Sequence, residues 1–286
     1  MKQKRSAATI LLEALAIILF LAYLIPFALI LINSSKDAFA VTANPMALPK
    51  DPGLIFKNMV SIWTNTNIAY PSSFLSSIII TVLSVAVLNL LCSQAAWVLV
   101  RTKTKFSQLV FLMFVGAMVI PFQIIMFPLL SWFREVTAVT GIGLLRTRFG
   151  MIFAYLGFGL SLTVFMFHGF IKAIPYELEE AATIDGNGKF GVFYRIVFPL
   201  LSPIHATVIV LNGMWIWNDY LLPLLVLGKG NRVQTIPLAV ANFAGAYVKQ
   251  WDLMLTAIVM AIIPIIVLFL AAQRYIIKGI VAGSIK

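Results

Sequence analysis

The sequence is poor in charged residues and nearly lacks side chains that bind metals or carry redox chemistry. Charged residues make up 11% of its 286 residues, whereas an ordinary soluble domain carries about a quarter. The single cysteine, Cys92, lies inside an apolar run, which excludes a disulfide within the chain and a cysteine-ligated metal cluster. There are two histidines and no HExxH, GxSxG or GxxxxGK pattern. The chain therefore lacks the residues that a zinc peptidase, a serine hydrolase or a P-loop ATPase needs for its chemistry. We therefore expect no cofactor and no metal.

What the sequence has in excess is apolar residues in long, nearly charge-free runs. Hydrophobic residues make up 61% of the chain, more than a soluble core could hide. A run of about 20 apolar residues is long enough to cross the hydrocarbon core of a bilayer as a helix. The pattern therefore predicts an all-α, multi-pass membrane protein. The six predicted spans are residues 10–32, 73–100, 106–130, 150–171, 203–227 and 254–273.

The basic residues lie in the connections between these spans, where they indicate orientation rather than nucleic-acid binding. The formal charge is +11, but Lys and Arg in short loops are topology signals and contacts for lipid headgroups of the bilayer. Twelve of the 21 Lys and Arg residues fall on the side that holds both termini, and the other nine are spread over a longer stretch of sequence. This bias predicts cytoplasmic termini and no nucleic-acid partner.

We expect three parts along the chain. Residues 1–72 hold the first span and an external, proline-broken segment with a short helix around residues 56–63. Residues 73–275 form a core with five spans, and residues 276–286 form a cytoplasmic tail.

The connection between the fourth and fifth spans, residues 174–203, is longer than two adjacent helices need. Pro175 suits the first turn of a helix, and three glutamates crowd that turn, where the helix dipole favours negative charge. Asp185-Gly186 can end this helix, and a second helical piece from about Lys189 leads to Pro199. The spacing predicts a cytoplasmic helix–turn–helix, and by itself it fits a knob for a partner's groove and a bare surface loop equally well.

The same segment resembles the EAA loop of ABC importer permeases. Glu180-Ala181-Ala182 is followed by Gly186, and then by Ile196 and Pro199 at the family's spacing, with Phe198 in place of the family's leucine. Three further stretches narrow the resemblance to permeases of maltose-type carbohydrate importers. These are Ala95-Ala96-Trp97 with Arg101, Trp217-Asn218-Asp219-Tyr220 with Pro223-Leu224, and Gln273-Arg274-Tyr275 with Lys278-Gly279.

The resemblance implies a type I ABC importer permease, not itself an enzyme, in a bacterial or archaeal inner membrane. Such permeases work in pairs, usually as two different chains, with two ATP-hydrolysing subunits and an extracytoplasmic sugar-binding protein. The short acidic helix is then expected to sit in a cleft of the ATPase. The residues to which the resemblance assigns this coupling are Glu179, Glu180, Ala181, Ala182, Asp185, Gly186 and Pro199.

A possible translocation path is indicated by polar and aromatic residues within the spans. Polar groups are costly in hydrocarbon and usually face protein or water, and sugars are bound through hydrogen bonds and aromatic stacking. An aromatic belt with an interhelix hydrogen bond explains the same residues. The candidates are Asn212, Trp215, Asn218 and Asp219 on the fifth span, and Gln123 beside Pro121.

Two other functions remain open from the residues alone. EAA-loop permeases also carry solutes such as glycerol phosphates and polyamines. An ion-coupled secondary transporter can also have six spans, although such transporters usually carry ionisable groups near the membrane midplane and contain inverted repeats. Here Asp219 is the one carboxylate well within a run, and the sequence has no visible inverted repeat.

Overall fold

Helices joined by short turns account for nearly all of the chain that can be described. The computed structural model describes residues 7–66, 69–243 and 250–284, and no β-strand occurs among them. The helices are α1 (Ala7–Ser34), α2 (Ala38–Ala43), α3 (Leu54–Thr64), α4 (Tyr70–Arg101), α5 (Lys105–Ala117), α6 (Phe122–Thr140), α7 (Arg148–Ile171), α8 (Glu177–Ile184), α9 (Lys189–Val192), α10 (Phe198–Leu200), α11 (Ser202–Asn218), α12 (Leu221–Val226), α13 (Ile236–Ala241) and α14 (Trp251–Ser284), with a π-helical turn at Phe193–Val197.

The predicted membrane-spanning character is confirmed. Among the described residues, α1, α4, α6, α7 and α14 are long and apolar enough to span, and a bent pair, Lys189–Leu200 with Ser202–Asn218, makes a sixth. The predicted runs 10–32, 73–100 and 150–171 correspond closely to α1, α4 and α7. The predicted external helix around residues 56–63 is α3.

The third predicted span was wrong in its boundaries. Residues 106–130 do not form one helix, because the chain breaks between α5 and α6 at Pro121, whose backbone is extended (φ −62°, ψ 139°). Proline lacks the N–H that would continue the helix and pushes the preceding residue out of helical geometry. Helix α6 then runs ten residues beyond the predicted end, to Thr140, where Gly141 closes it in the left-handed region (φ 73°).

The fifth and sixth predicted spans also need correction at their ends. The run 203–227 is interrupted at Asp219, which has an extended backbone (ψ 129°) between α11 and α12. The last predicted span ended at residue 273, but the backbone of α14 stays helical to Ser284. The predicted tail, 276–286, is therefore mostly a continuation of this helix, and its last two residues lie outside the described part.

The described chain divides into two compact units. The first comprises residues 1–70 and 240–263. A hydrogen-bond network lies at the end of α1. There the buried ammonium of Lys36 donates to Asn33 Oδ1 (2.9 Å) and to the carbonyls of Asn44 (2.9 Å) and Pro45 (3.2 Å). Asn33 Nδ2 also donates to Pro45 O at 2.9 Å. These bonds fold the loop after α2 back onto the end of α1.

The second unit comprises residues 71–239 and 264–286, and it contains the candidate functional residues. Helix α7 is its centre, with one face fully buried against α4, α5 and α11. Gly159 makes the close approach to α4 possible, because a Cβ at this position would lie 2.6 Å from Leu88 Cδ1. The ends of α4 and α7 and the start of α11 meet at one end of this unit, where residues 174–200 cover them.

Replacing Lys36 with methionine should destabilise the first unit. The change keeps the side chain's length but removes the ammonium that donates to the buried Asn33 Oδ1 and to the carbonyls of Asn44 and Pro45. A buried polar group left unsatisfied costs about 1–3 kcal/mol. The measurement is the unfolding midpoint of the purified chain in detergent. Lys57→Met is the matched control, because Lys57 pairs with Asp51 on the exposed surface. Equal midpoints for both variants would contradict a structural role for Lys36.

Candidate coupling surface and translocation path

The coupling segment, residues 174–200, begins with the short helix α8. Its first turn carries Glu177, Glu179 and Glu180, as the helix dipole favours. The helix ends at Asp185, and Gly186 turns the chain in the left-handed region (φ 86°). A Cβ at Gly186 would meet no atom within 4 Å, so the constraint on this position is the backbone conformation rather than space.

The second half of the coupling segment is helical but irregular. Helix α9 is followed by one π-helical turn, in which the N–H of Phe198 bonds to the carbonyl of Phe193. Pro199 comes next and has no N–H for a regular helical bond. Beyond Leu201 the chain bends by 72° into α11. The coupling segment is therefore joined to α11 through a turn of non-standard register and a sharp bend.

The residues predicted to act in coupling divide into exposed and buried sets. Glu180, Ala181, Asp185, Gly186 and Pro199 are exposed. Glu179 and Ala182 are buried, at 4% and 5% exposure. The exposed set is available to a partner, whereas Glu179 and Ala182 face the inside of this chain.

Glu179 binds the end of α4. Its Oε1 accepts a hydrogen bond from Arg101 Nε (2.8 Å) and lies 2.7 Å from Arg101 Nη2 in an ion pair, and its Oε2 accepts a hydrogen bond from Trp97 Nε1 (2.9 Å). Arg101 Nη2 also donates to the carbonyl of Ile174, at 3.0 Å, just after α7. One carboxylate therefore ties together α8, α4 and the end of α7.

Two exposed apolar residues of the coupling segment were missed by sequence reasoning. Ile184 is 86% exposed and Phe190 is 81% exposed, and they lie on either side of the Gly186 turn. The signal was available, because a large apolar residue at the end of a short, otherwise acidic surface helix has no core to enter. A groove of about 850 Å³ lies beside Ile184 and is lined by residues that include Ile184, Glu180, Lys189, Trp97 and Arg101.

The candidate path residues of α11 also differ in burial. Asn212 is buried and donates to Thr163 Oγ1 of α7 at 3.0 Å, so it makes an interhelix bond. Trp215 is 41% exposed and packs edge-on against Tyr155. Asn218 is exposed and donates to the carbonyl of Met214 at 2.8 Å.

Asp219 occupies the break between α11 and α12. Its Oδ2 accepts a hydrogen bond from Tyr155 Oη at 3.1 Å, and its Oδ1 accepts from the N–H groups of Leu221 (3.0 Å) and Leu222 (3.4 Å). The carboxylate thus satisfies the first N–H groups of α12 and links the break to α7. On another element, Gln123 is exposed in the first turn of α6.

Nothing in the described ranges suggests metal chemistry. Within residues 7–66, 69–243 and 250–284, no group of three or more His, Cys, Asp or Glu side chains is placed to hold a metal ion. The second unit has two candidate functional features. One is the exposed surface of the coupling segment, and the other is the polar break at Asp219 between α11 and α12.

Comparison with known proteins places this arrangement in a family. Residues 89–281 match the family described as "Binding-protein-dependent transport system inner membrane component". The probable starch degradation products transport system permease protein AmyC of Thermoanaerobacterium thermosulfurigenes is 40% identical over 277 residues, which cover 96% of each chain. The melibiose/raffinose/stachyose import permease protein MelC of Bacillus subtilis is 36% identical over 287 residues and 100% of each chain.

A further relative and a solved structure agree. The multiple sugar-binding transport system permease protein MsmG of Streptococcus mutans is 35% identical over 216 residues, 74% of this chain and 76% of that one. A crystal structure of a bacterial ABC transporter involved in the import of the acidic polysaccharide alginate has a chain with the same fold, with a TM-score of 0.76 at 23% identity, covering 96% of this chain and 99% of the other. The resemblance drawn from the coupling segment is confirmed: this chain is a multi-pass membrane protein and belongs to the family of binding-protein-dependent transport system inner membrane components.

Proposed function

We propose that this chain is one of the two channel-forming subunits of an ATP-driven importer for sugars or oligosaccharides. The relatives named for starch degradation products, for melibiose, raffinose and stachyose, and for multiple sugars support the sugar class over glycerol phosphates or polyamines. The working importer contains a second, different permease chain, two separate ATP-hydrolysing subunits and an extracytoplasmic sugar-binding protein. This chain supplies part of the path and the contact through which ATP energy arrives.

The charge distribution supports an orientation for the chain in the cell membrane. Twelve of the 21 Lys and Arg residues are on the side of the termini and the coupling segment. Under the positive-inside rule this side is the cytoplasm. The coupling segment then faces the ATPases, and the break at Asp219 lies toward the exterior.

The exposed tip of the coupling segment is the observation that carries the proposal. Ile184 and Phe190 present apolar side chains at the Gly186 turn, next to the exposed carboxylate of Glu180. Exposed apolar side chains with a polar rim are typical of a protein interface. The complementary surface is a cleft with an apolar floor and a basic rim on the ATPase.

Transport then follows from a two-state equilibrium. Closure of the two ATPases around nucleotide moves the docked segments of both permease chains, and the spans pass from an inward-facing to an outward-facing arrangement. Nucleotide can drive the change only to the extent that it favours one arrangement, so a rigid docked contact is required. Gly186 turns the chain in the left-handed region, and this fixed turn gives the tip of the segment a defined shape.

Glu180→Lys and Ile184→Glu should each detach the ATPase from the permease. One change places a cation against the proposed basic rim, and the other buries a charge in the apolar floor. A lost central contact of this kind costs about 2 kcal/mol or more of binding free energy. The measurement is the amount of ATPase that co-purifies with the tagged permease, together with sugar uptake.

Glu135→Lys is the matched control for these variants. Glu135 is an exposed glutamate on α6, outside the coupling segment, and the same change of charge should leave the ATPase bound. If Glu180→Lys and Ile184→Glu retain wild-type ATPase binding and uptake at equal expression, the docking surface is wrongly assigned.

For the translocation path, we assign the exposed residues Trp215 and Asn218, with Asp219 and Gln123, to contact with the passing sugar. An aromatic face and nearby amide and carboxylate groups suit the apolar and hydroxyl surfaces of a saccharide. Asn212 has a different role in this proposal, because its bond to Thr163 already holds α11 against α7.

Trp215→Ala should lower sugar uptake or change the preference among sugars, while the complex still assembles. A stacking contact that is present in some steps of transport and lost in others contributes about 0.5–1.5 kcal/mol, so we expect changes of a few-fold. The measurement is uptake of several labelled sugars in parallel. Trp132→Ala is the control, since Trp132 is similarly exposed on α6 and stacks on Phe153. Unchanged uptake of every sugar by Trp215→Ala would assign this face to packing.

The energy source separates this proposal from an ion-coupled transporter. In cells that carry the complete importer, uptake should stop when ATP is depleted and should persist when a protonophore removes the proton gradient. Uptake that follows the ion gradient instead of ATP would refute the proposed function.

A further inference from the structure

One face of α4 is devoted to the coupling segment. Gln94, Trp97 and Arg101 are spaced three and four residues apart, which places them on the same side of a helix. Each contacts a different part of the segment: Gln94 Nε2 donates to Tyr194 Oη, Trp97 packs 5.3 Å from Phe193 between ring centroids, and Arg101 binds Glu179. The last two turns of α4 therefore contact both the first half of the segment, at Glu179, and the second half, at Phe193 and Tyr194.

The strongest of these contacts is an ion pair between the half-buried Arg101 and the buried Glu179. Glu179 is 4% exposed, and its carboxylate receives one hydrogen bond from Arg101 and one from Trp97, while Arg101 Nη2 lies 2.7 Å from its Oε1. The guanidinium of Arg101 also lies 5.4 Å from the ring centroid of Tyr176, at the start of α8. Breaking a buried pair leaves an uncompensated charge, so such a contact resists separation much more than an exposed pair does. We call Trp97, Arg101 and Glu179 the α4 clamp.

The covalent route from the coupling segment to α11 is built differently. The segment continues through the π-helical turn at Phe193–Val197 and then bends by 72° into α11. Single π-helical turns are frequent at functional sites and are one of the usual causes of a kink in a helix. A displacement of α8 along this route meets a change of register and a change of direction before it reaches the spanning part of α11.

We propose that movement of the coupling segment enters the membrane through α4, by way of the α4 clamp. This inference rests on the proposed function. Trp97, Arg101 and Glu179 are positioning residues that touch neither nucleotide nor sugar. They make α8 and α4 move as one body, while the turn and bend before α11 allow the two spans to change their relative angle. The clamp thus sets how much transport each ATP hydrolysis event yields.

The test uses the complete importer, reconstituted in lipid vesicles, with sugar uptake and ATP hydrolysis measured on the same preparation. Arg101→Gln and Glu179→Gln should retain the bound ATPase and its hydrolysis, because the exposed tip around Ile184 is unchanged. Sugar transported per ATP should fall about fivefold or more, in the range of coupling between linked sites. Trp97→Phe, which keeps a ring beside Phe193 but loses the donor to Glu179, should give a smaller fall in the same ratio.

A charge exchange separates the pair from the individual residues. The double variant Arg101→Glu with Glu179→Arg places the opposite charges in exchanged positions, and it should recover a substantial part of the ratio lost in each single reversal. Lys103→Gln is the matched control, because Lys103 is exposed two residues beyond Arg101, and this variant should transport as the wild type does.

Three results would overturn the clamp. Wild-type transport per ATP in Arg101→Gln and Glu179→Gln shows that the contact carries no motion. Loss of the bound ATPase in these variants shows that the contact only shapes the docking surface. A double exchange that recovers nothing shows that the two residues act separately. If the wild-type chain itself binds no ATPase, the proposed function is wrong, whatever the variants do.

Discussion

The hydrocarbon core of a bilayer offers no hydrogen-bonding partner to a backbone, and this constraint shapes the spanning helices of the chain. It explains why the apolar runs are helices, and why each interruption carries its own substitute for water. At the break before Pro121, the N–H groups of Met118, Val119 and Ile120 bond to carbonyls one short turn back. At the break after α11, the carboxylate of Asp219 takes the N–H groups of Leu221 and Leu222. Irregular backbone occurs where the chain itself supplies partners.

The same constraint explains how much of the fold could be read from the sequence. Long apolar runs are a direct record of spanning helices, so α1, α4 and α7 were predicted almost to their ends. The predicted helix ends were wrong where the apolar run and the helix do not end at the same residue. Arg134 and Glu135 end the apolar run, yet α6 continues past them to Thr140, because a charged residue ends hydrophobicity without ending a helix.

The coupling segment shows a different limit. Its helices, its turn at Gly186 and its link to a known family follow from local residues. The opposite orientations of Glu179 and Glu180 do not, because neighbouring residues on a helix differ in direction by about 100° and only tertiary contacts decide which one is buried. The partner of Glu179 is Arg101, 78 residues away, and no local pattern connects them. The exposure of Ile184 and Phe190, by contrast, could have been foreseen from their place on a short polar element.

The ion pair between Arg101 and Glu179 also has a consequence for how the chain is inserted. The two residues lie on one membrane face, so the polypeptide must cross the bilayer an even number of times between them. Helix α7 provides one crossing, and α5 and α6 together must therefore provide one and not two. A chain in which either crossing failed during biosynthesis would strand an unpaired cation and an unpaired carboxylate on opposite faces, each without its partner. The ion pair can therefore form only in a molecule in which the chain crosses the membrane an even number of times between Arg101 and Glu179.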